Sequence, residues 1–165
     1  MGNASDTAAT GLRSEFSRFY ADELAGQVRS ATLIVGSQPL AQDLVHDVFV
    51  TIFERWSDID EPGPFLQRSV VNACRDALRR QRTATQFLRR RHRFDTWTEP
   101  DVPLFDALAT LPFNHRAAVV LRYYAGLTEA EIAERLDCRP GSVGPWIRRG
   151  LDRLNNELDP TTENP

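Results

Sequence analysis

The sequence predicts an all-α protein of two small helical domains joined by a linker, the C-terminal one a four-helix unit containing a helix-turn-helix. Three observations carry this. Apolar residues recur at three- and four-residue steps on both sides of the chain's midpoint, as amphipathic helices require. Between these stretches Phe94 to Pro103 has little periodicity and two prolines, as a linker does. Near the C-terminus a capping box opens a short helix that a tight turn joins to a basic one.

A disordered N-terminus is expected over 1–14, a first domain over 15–86, a linker over 87–103, a second domain over 104–158 and a disordered tail over 159–165. In the first domain Phe16, Phe19, Tyr20, Leu24, Val28 and Ala31 mark one face of a helix that Gly36 ends. Ser37 and Pro39 form a helix start. Ala41, Leu44, Val45, Val48, Phe49, Ile52, Phe53 and Trp56 then keep a helical period, with Asp43, Asp47, Glu54 and Arg55 off the stripe. Ser57 to Pro64 is rich in turn residues and reads as a loop. From about Phe65 a third helix buries Leu66, Val70, Ala73, Cys74, Ala77 and Leu78, completing a three-helix bundle.

In the second domain Leu104, Phe105, Leu108 and Leu111 define one helix. Ala118, Val120, Leu121 and Tyr124 define the next, which Gly126 closes. Thr128 is then an N-cap with Glu131 as its capping-box partner, followed by the short stripe Ile132, Ala133 and Leu136. A turn at Asp137-Cys138-Arg139 leads to a last helix starting at Pro140. That is the spacing of a helix-turn-helix, whose second helix enters the DNA major groove, although a plain helical hairpin would share it. Small Ala133 at the crossing and the basic residues Arg139, Arg148, Arg149 and Arg153 favour DNA, because arginine suits both phosphates and guanine edges.

The formal net charge of -3 hides a strong asymmetry. Asp43 to Glu61 holds six acids against Arg55, whereas Arg75 to Arg93 holds eight arginines against Asp76. All 20 basic residues are arginine, as a GC-rich coding sequence or a use of bidentate phosphate contacts would give. Cys74 and Cys138 form no CxxC or Cys/His cluster and are expected as small buried apolar residues, so neither metal nor cofactor is expected. With no Gly-rich phosphate loop, no H-E-x-x-H and no nucleophile motif beside His46, His92 and His115, the chain is not expected to be an enzyme. No apolar run approaches the roughly 20 residues of a spanning helix, and MGNASDTAATG lacks the layout of a secretory signal; the expectation is a cytoplasmic protein without membrane insertion.

Over Phe16 to Leu158 the pattern resembles the bacterial RNA polymerase sigma factors of the extracytoplasmic-function group, which keep only the second and fourth sigma domains. Ala41-Gln42-Asp43-Leu44-Val45-His46-Asp47-Val48-Phe49 is similar to the family's A-E-D-L-V-Q-E-V-F, with Gln42, His46 and Asp47 departing from it. Asn72-Ala73-Cys74-Arg75-Asp76-Ala77-Leu78-Arg79-Arg80 is similar to N-x-x-x-D-x-x-R-R; Phe65 stands where the family usually has tryptophan. Ala107 to Pro112, followed by Arg116 to Tyr124, resembles L-x-x-L-P-x-x-x-R-x-x-x-x-L-R-y-y. Where the family tends to T-V-K-S-R-L, the chain has Ser142-Val143-Gly144-Pro145-Trp146-Ile147.

The resemblance implies that Asp43, Leu44, His46, Asp47 and Phe49 dock on core RNA polymerase. It implies that Asn72, Arg75, Asp76, Arg79 and Arg80 meet the minus-ten element of promoter DNA as an unpaired strand, with the preceding loop, and that Arg139, Ser142, Val143, Trp146, Arg148 and Arg149 meet the minus-thirty-five element. An anti-sigma factor is a further implied partner. A helix started at Pro140 puts Pro145 in its interior, at about 3 kcal/mol, whereas a start with Gly144 as N-cap avoids that cost; either alters the first turn. Two other readings stay open: a sigma-like interaction protein that no longer reads promoters, and an ordinary helix-turn-helix regulator.

Overall fold

The computed structural model describes residues 4–87 and 102–158. Among the described residues there are seven α-helices and no strand. The first unit is built from α1 (Ala4–Val35), α2 (Gln38–Glu54) and α3 (Pro62–Phe87), the second from α4 (Val102–Thr110), α5 (Phe113–Tyr123), α6 (Glu129–Leu136) and α7 (Pro140–Leu158).

Local chemistry sets most of the boundaries. Gly36 ends α1 at φ 75° and Gly126 follows α5 at φ 70°, a left-handed backbone that glycine adopts without a Cβ penalty. The Ser37 hydroxyl accepts the Leu40 N–H at 3.4 Å, capping α2 with a proline in its first turn. Two boundaries differ from the sequence expectation. The helix α1 starts at Ala4, inside the segment expected to be disordered, although no apolar stripe supports it there and Leu12 is exposed. The exposed helix formers Leu12, Arg13 and Glu15 continue it by propensity rather than burial. The expected loop Ser57 to Pro64 is shorter, because Trp56–Asp58 forms a 3-10 turn and α3 already starts at Pro62, whose fixed φ suits a first turn.

An aromatic cluster binds α1 to α2. Phe16 lies 4.9 Å from Phe53 and 5.2 Å from Trp56, ring centre to ring centre, and Tyr20 lies 4.8 Å from Phe49, tilted or edge-on as the ring quadrupoles favour. Ile34, Ile52, Leu66 and Val70 fill the core of the first unit, and Leu111, Ile132 and Val143 that of the second. The two units also touch, α1 packing on α4 and α5 and α3 packing on α6. At that junction the buried Arg116 donates from Nη1 to the Ile34 carbonyl at 2.7 Å and from Nη2 to the carbonyls of Ala109 and Leu111. One guanidinium thus satisfies the carbonyl ends of α1 and α4, which the helices themselves leave unpaired. Burial, then the neighbouring Arg82, lowers its pKa from the ordinary arginine value.

Candidate polymerase and nucleic-acid surfaces

Helix α2 has two faces of opposite character. Ala41, Leu44, Val45, Val48, Phe49 and Ile52 are buried, while Asp43, Asp47, Val50 and Glu54 repeat at helical spacing on the exposed side. Leu44 and Phe49, expected at the polymerase contact, therefore belong to the core: Phe49 is 2% exposed and packs against Phe16, Phe19 and Tyr20. Asp43, His46 and Asp47 are exposed, and His46 meets the Tyr20 hydroxyl at 3.0 Å, which sets its ring beside the acidic strip. The apolar members of this surface are Val50, 58% exposed, and Phe53, 49% exposed. The sequence signal for Val50 was its place off the buried stripe; Phe53 was assigned to that stripe and instead sits at its edge.

On α3, Asp76, Arg79 and Arg80 are exposed, whereas Asn72 and Arg75 are half-buried. Arg75 donates from Nη1 to the Asn72 side chain at 3.2 Å, and from Nη2 to the backbone carbonyl of Leu136, the last residue of α6, at 3.1 Å. Its guanidinium also lies over the Phe113 ring, 5.1 Å from the centroid, a cation–π arrangement. The arginines Arg89, Arg90, Arg91 and Arg93, and most of the expected linker, lie outside the described residues.

The second unit forms the expected helix-turn-helix. The Thr128 hydroxyl accepts the Glu131 N–H while the Glu131 carboxylate accepts from the Thr128 N–H at 2.8 Å and from its hydroxyl at 2.7 Å, a complete capping box. Asp137 caps α6 at φ 53°, a left-handed conformation that aspartate tolerates better than most residues, and α7 begins three residues later. This helix runs unbroken through Pro145, so the alternative start with Gly144 as N-cap does not occur. A Cβ on Gly144 would lie 3.1 Å from a Glu129 carboxylate oxygen, and its absence leaves that carboxylate against α7. Arg139, Arg148 and Arg149 are exposed and Ser142 and Trp146 half-buried, but Val143, expected at the DNA contact, is 0% exposed and holds α7 in the core. Tyr124, expected inside, is exposed together with Tyr123 where α5 ends.

Arg75 and Trp146, expected on separate DNA surfaces, line one cleft of about 470 Å³ between the units, with Phe113, His115 and Cys138. Burial, then the nearby Arg149, lowers the His115 pKa and so favours neutral imidazole. Cys138 is half-buried on this cleft rather than in the core. Cys74 is fully buried, its thiol pushed up to about 12 by burial. Among the described residues no group of His, Cys, Asp or Glu could hold a metal ion, and no helix is long and apolar enough to cross a membrane.

Known proteins align with both units. The family model of sigma-70 region 2 matches residues 20–84 and that of sigma-70 region 4 matches residues 102–154. The sigma factor CarQ of Myxococcus xanthus is 33% identical over 140 residues, covering 76% of this chain and 78% of CarQ. The sigma-E factor of Streptomyces coelicolor is 27% identical over 162 residues, covering 87% of this chain and 86% of the relative. Two solved structures share the fold. One is the sigma factor RpoE of Bartonella quintana in complex with the anti-sigma factor NepR, with TM-score 0.77, 18% identity and coverage of 91% of this chain and 99% of that one. The other is CnrH in complex with the cytosolic domain of CnrY, with TM-score 0.70, 24% identity and coverage of 93% and 94%. Both regions fall on the two helical units in the order the helices build them, and the chain belongs to the sigma-70 family, in its extracytoplasmic-function group of RNA polymerase sigma factors.

Proposed function

We propose that this sigma factor holds core RNA polymerase through the exposed strip of α2 and reads promoter DNA through α3 and α7. The observation that carries the proposal is the charge separation of these faces: Asp43, Asp47 and Glu54 are exposed on α2, whereas Arg79 and Arg80 on α3 and Arg139, Arg148 and Arg149 around α7 are exposed cations. Asp43, His46 and Asp47 make the polar polymerase contacts and Val50 and Phe53 the apolar ones. Leu44 and Phe49 support that surface from beneath.

Asn72, Arg75, Asp76, Arg79 and Arg80 engage the unpaired upstream strand, where cationic grooves and stacking hold single strands. Arg139, Ser142, Trp146, Arg148 and Arg149 face the duplex farther upstream, with Val143 as their packing support. Pro145 weakens or re-specifies that second contact, because its ring removes a backbone N–H from the first turns of α7. Two modest contacts joined through one chain act at raised effective concentration, so neither unit has to bind tightly alone. The protein carries no catalytic step of its own and works in the cytoplasm. The anti-sigma complexes of its structural neighbours support an anti-sigma partner here as well.

The test is run-off transcription with purified core polymerase over a library of promoter fragments at low and moderate salt, since phosphate contacts are salt-dependent. New, specific start sites are expected. Binding to core without any transcript supports the interaction-protein reading instead, and no binding to core supports an ordinary helix-turn-helix regulator.

A further inference from the structure

Helix α6 carries three acids, and two of them are engaged. Glu131 closes the capping box with Thr128, and Glu134 lies 3.1 Å from Arg135. The third is Glu129, the exposed first residue of the helix. Among the described residues nothing donates a hydrogen bond to its carboxylate, and no cation stands within ion-pair distance of it. The carboxylate is nevertheless placed. The three atoms nearest to where a Cβ on Gly144 would lie are Oε2, Oε1 and Cδ of Glu129, at 3.1, 3.4 and 3.5 Å. An acid from the first helix of the helix-turn-helix thus occupies the space that a side chain of the second would fill.

Gly144 stands one turn before the exposed Arg148 and three residues after the exposed Gly141, so all three share a side of α7. A Cβ on Gly141 would meet nothing within 4 Å. Neither glycine projects a side chain, and base edges can therefore come closer to this side of α7 than longer residues would let them. A carboxylate there repels phosphates, and its two oxygens can only accept. Of what a duplex offers in the major groove, that leaves the amino groups of cytosine and adenine. Cytosine N4 has no acceptor beside it, whereas adenine N6 has N7 alongside, which opposes a carboxylate oxygen.

We propose that Glu129 is a specificity-determining residue of the upstream contact, accepting a hydrogen bond from the N4 amino group of one cytosine in the major groove. The inference rests on the assignment of α7 to duplex promoter DNA. It adds an acceptor to a surface whose exposed arginines, Arg139, Arg148 and Arg149, suit guanine edges and phosphates. Gly144 makes the contact possible, because a long side chain there would displace the carboxylate, and a cationic one would pair with it.

The test is transcription by core polymerase with the full chain over promoter fragments randomised through the upstream duplex element, read by sequencing the templates that yield transcript. The wild type should favour cytosine at one position by about tenfold. Glu129→Gln should move that position to adenine, because an amide both accepts from N6 and donates to N7, and should leave the other positions as they are. Gly144→Lys, which sets an ammonium against the carboxylate, should lose the cytosine.

An unchanged preference in folded Glu129→Gln overturns the assignment. So does a uniform rise in output over all sequences, which makes Glu129 a repeller of phosphates and nothing more. If that variant does not fold, Gly144→Lys decides: loss of the cytosine supports the assignment and its retention overturns it. The wild type separates this from the wider reading. Absence of any specific start site overturns the promoter assignment and the role of Glu129 with it, whereas specific sites with no cytosine favoured overturn only the role of Glu129.

Discussion

A β-carbon built on Gly150 of α7 would lie 2.8 Å from Cγ2 of Val119 on α5, so these two helices meet where one of them has no side chain. Gly150→Ala must push them apart. The expected loss is about 1–3 kcal/mol from overpacking, offset in part by about 0.5–1 kcal/mol of helix propensity. Gly26→Ala in α1 is the control, because its methyl meets nothing within 4 Å and should only stabilise. Urea midpoints moving in opposite directions confirm the contact; two gains rule it out.

Removing the Arg116 fork leaves the carbonyls of Ile34, Ala109 and Leu111 without the guanidinium that pairs them. Arg116→Met should therefore cost about 3 kcal/mol or more in denaturant unfolding, as unpaired buried acceptors do. Arg116→Lys should recover only part of it, since a single ammonium cannot reproduce the planar fork.

Asp43 and Asp47 are exposed, so reversing both to arginine should change stability by no more than about 0.5 kcal/mol each. Affinity for core polymerase, followed by fluorescence anisotropy, should fall by about tenfold or more as like charge replaces complementary charge. Leu44→Ala should behave in the opposite sense, losing about 2–5 kcal/mol of stability as a core cavity does.

Pro145→Ser restores an N–H that can reach the Gly141 carbonyl inside α7. The variant should be more stable, by up to about 3 kcal/mol, and should shift the set of start sites selected from a fragment library. An unchanged selection profile removes Pro145 from promoter specificity.

The bonds from Thr128 hold the Glu131 carboxyl below its ordinary value of 4.5. Because the folded-state pKa is the depressed one, the ion's contribution is complete above pH 4.5 and is lost as pH falls through the folded value. Glu131→Gln keeps a capping acceptor that cannot titrate. The Tm gap between wild type and this variant should shrink as pH falls from about 5 through the depressed folded value; a constant gap means the capping ion contributes nothing.

The elements that local chemistry encodes were legible in the sequence. Ser37, Gly36, Gly126 and the Thr128–Glu131 box act within four residues of themselves, and each does what its residue type requires. The burial of Leu44, Phe49 and Val143 was not legible from the motifs, because a motif names positions in a family pattern without saying which side of a helix they occupy, and all three turn inward. The ties of Arg75 to Leu136 and Arg116 to Ile34 span 61 and 82 positions, so no local pattern could announce them.

The Arg116–Ile34 bond also sets a timetable for synthesis. When α1 leaves the ribosome, the carbonyl of Ile34 has its intended donor 82 residues behind it, still untranslated. Domains generally fold as units and N-terminal first during synthesis. The three-helix bundle is therefore complete while water still caps its first helix. Closure onto the second unit is among the last steps, and whatever meets the growing chain before then finds Arg75 uncovered.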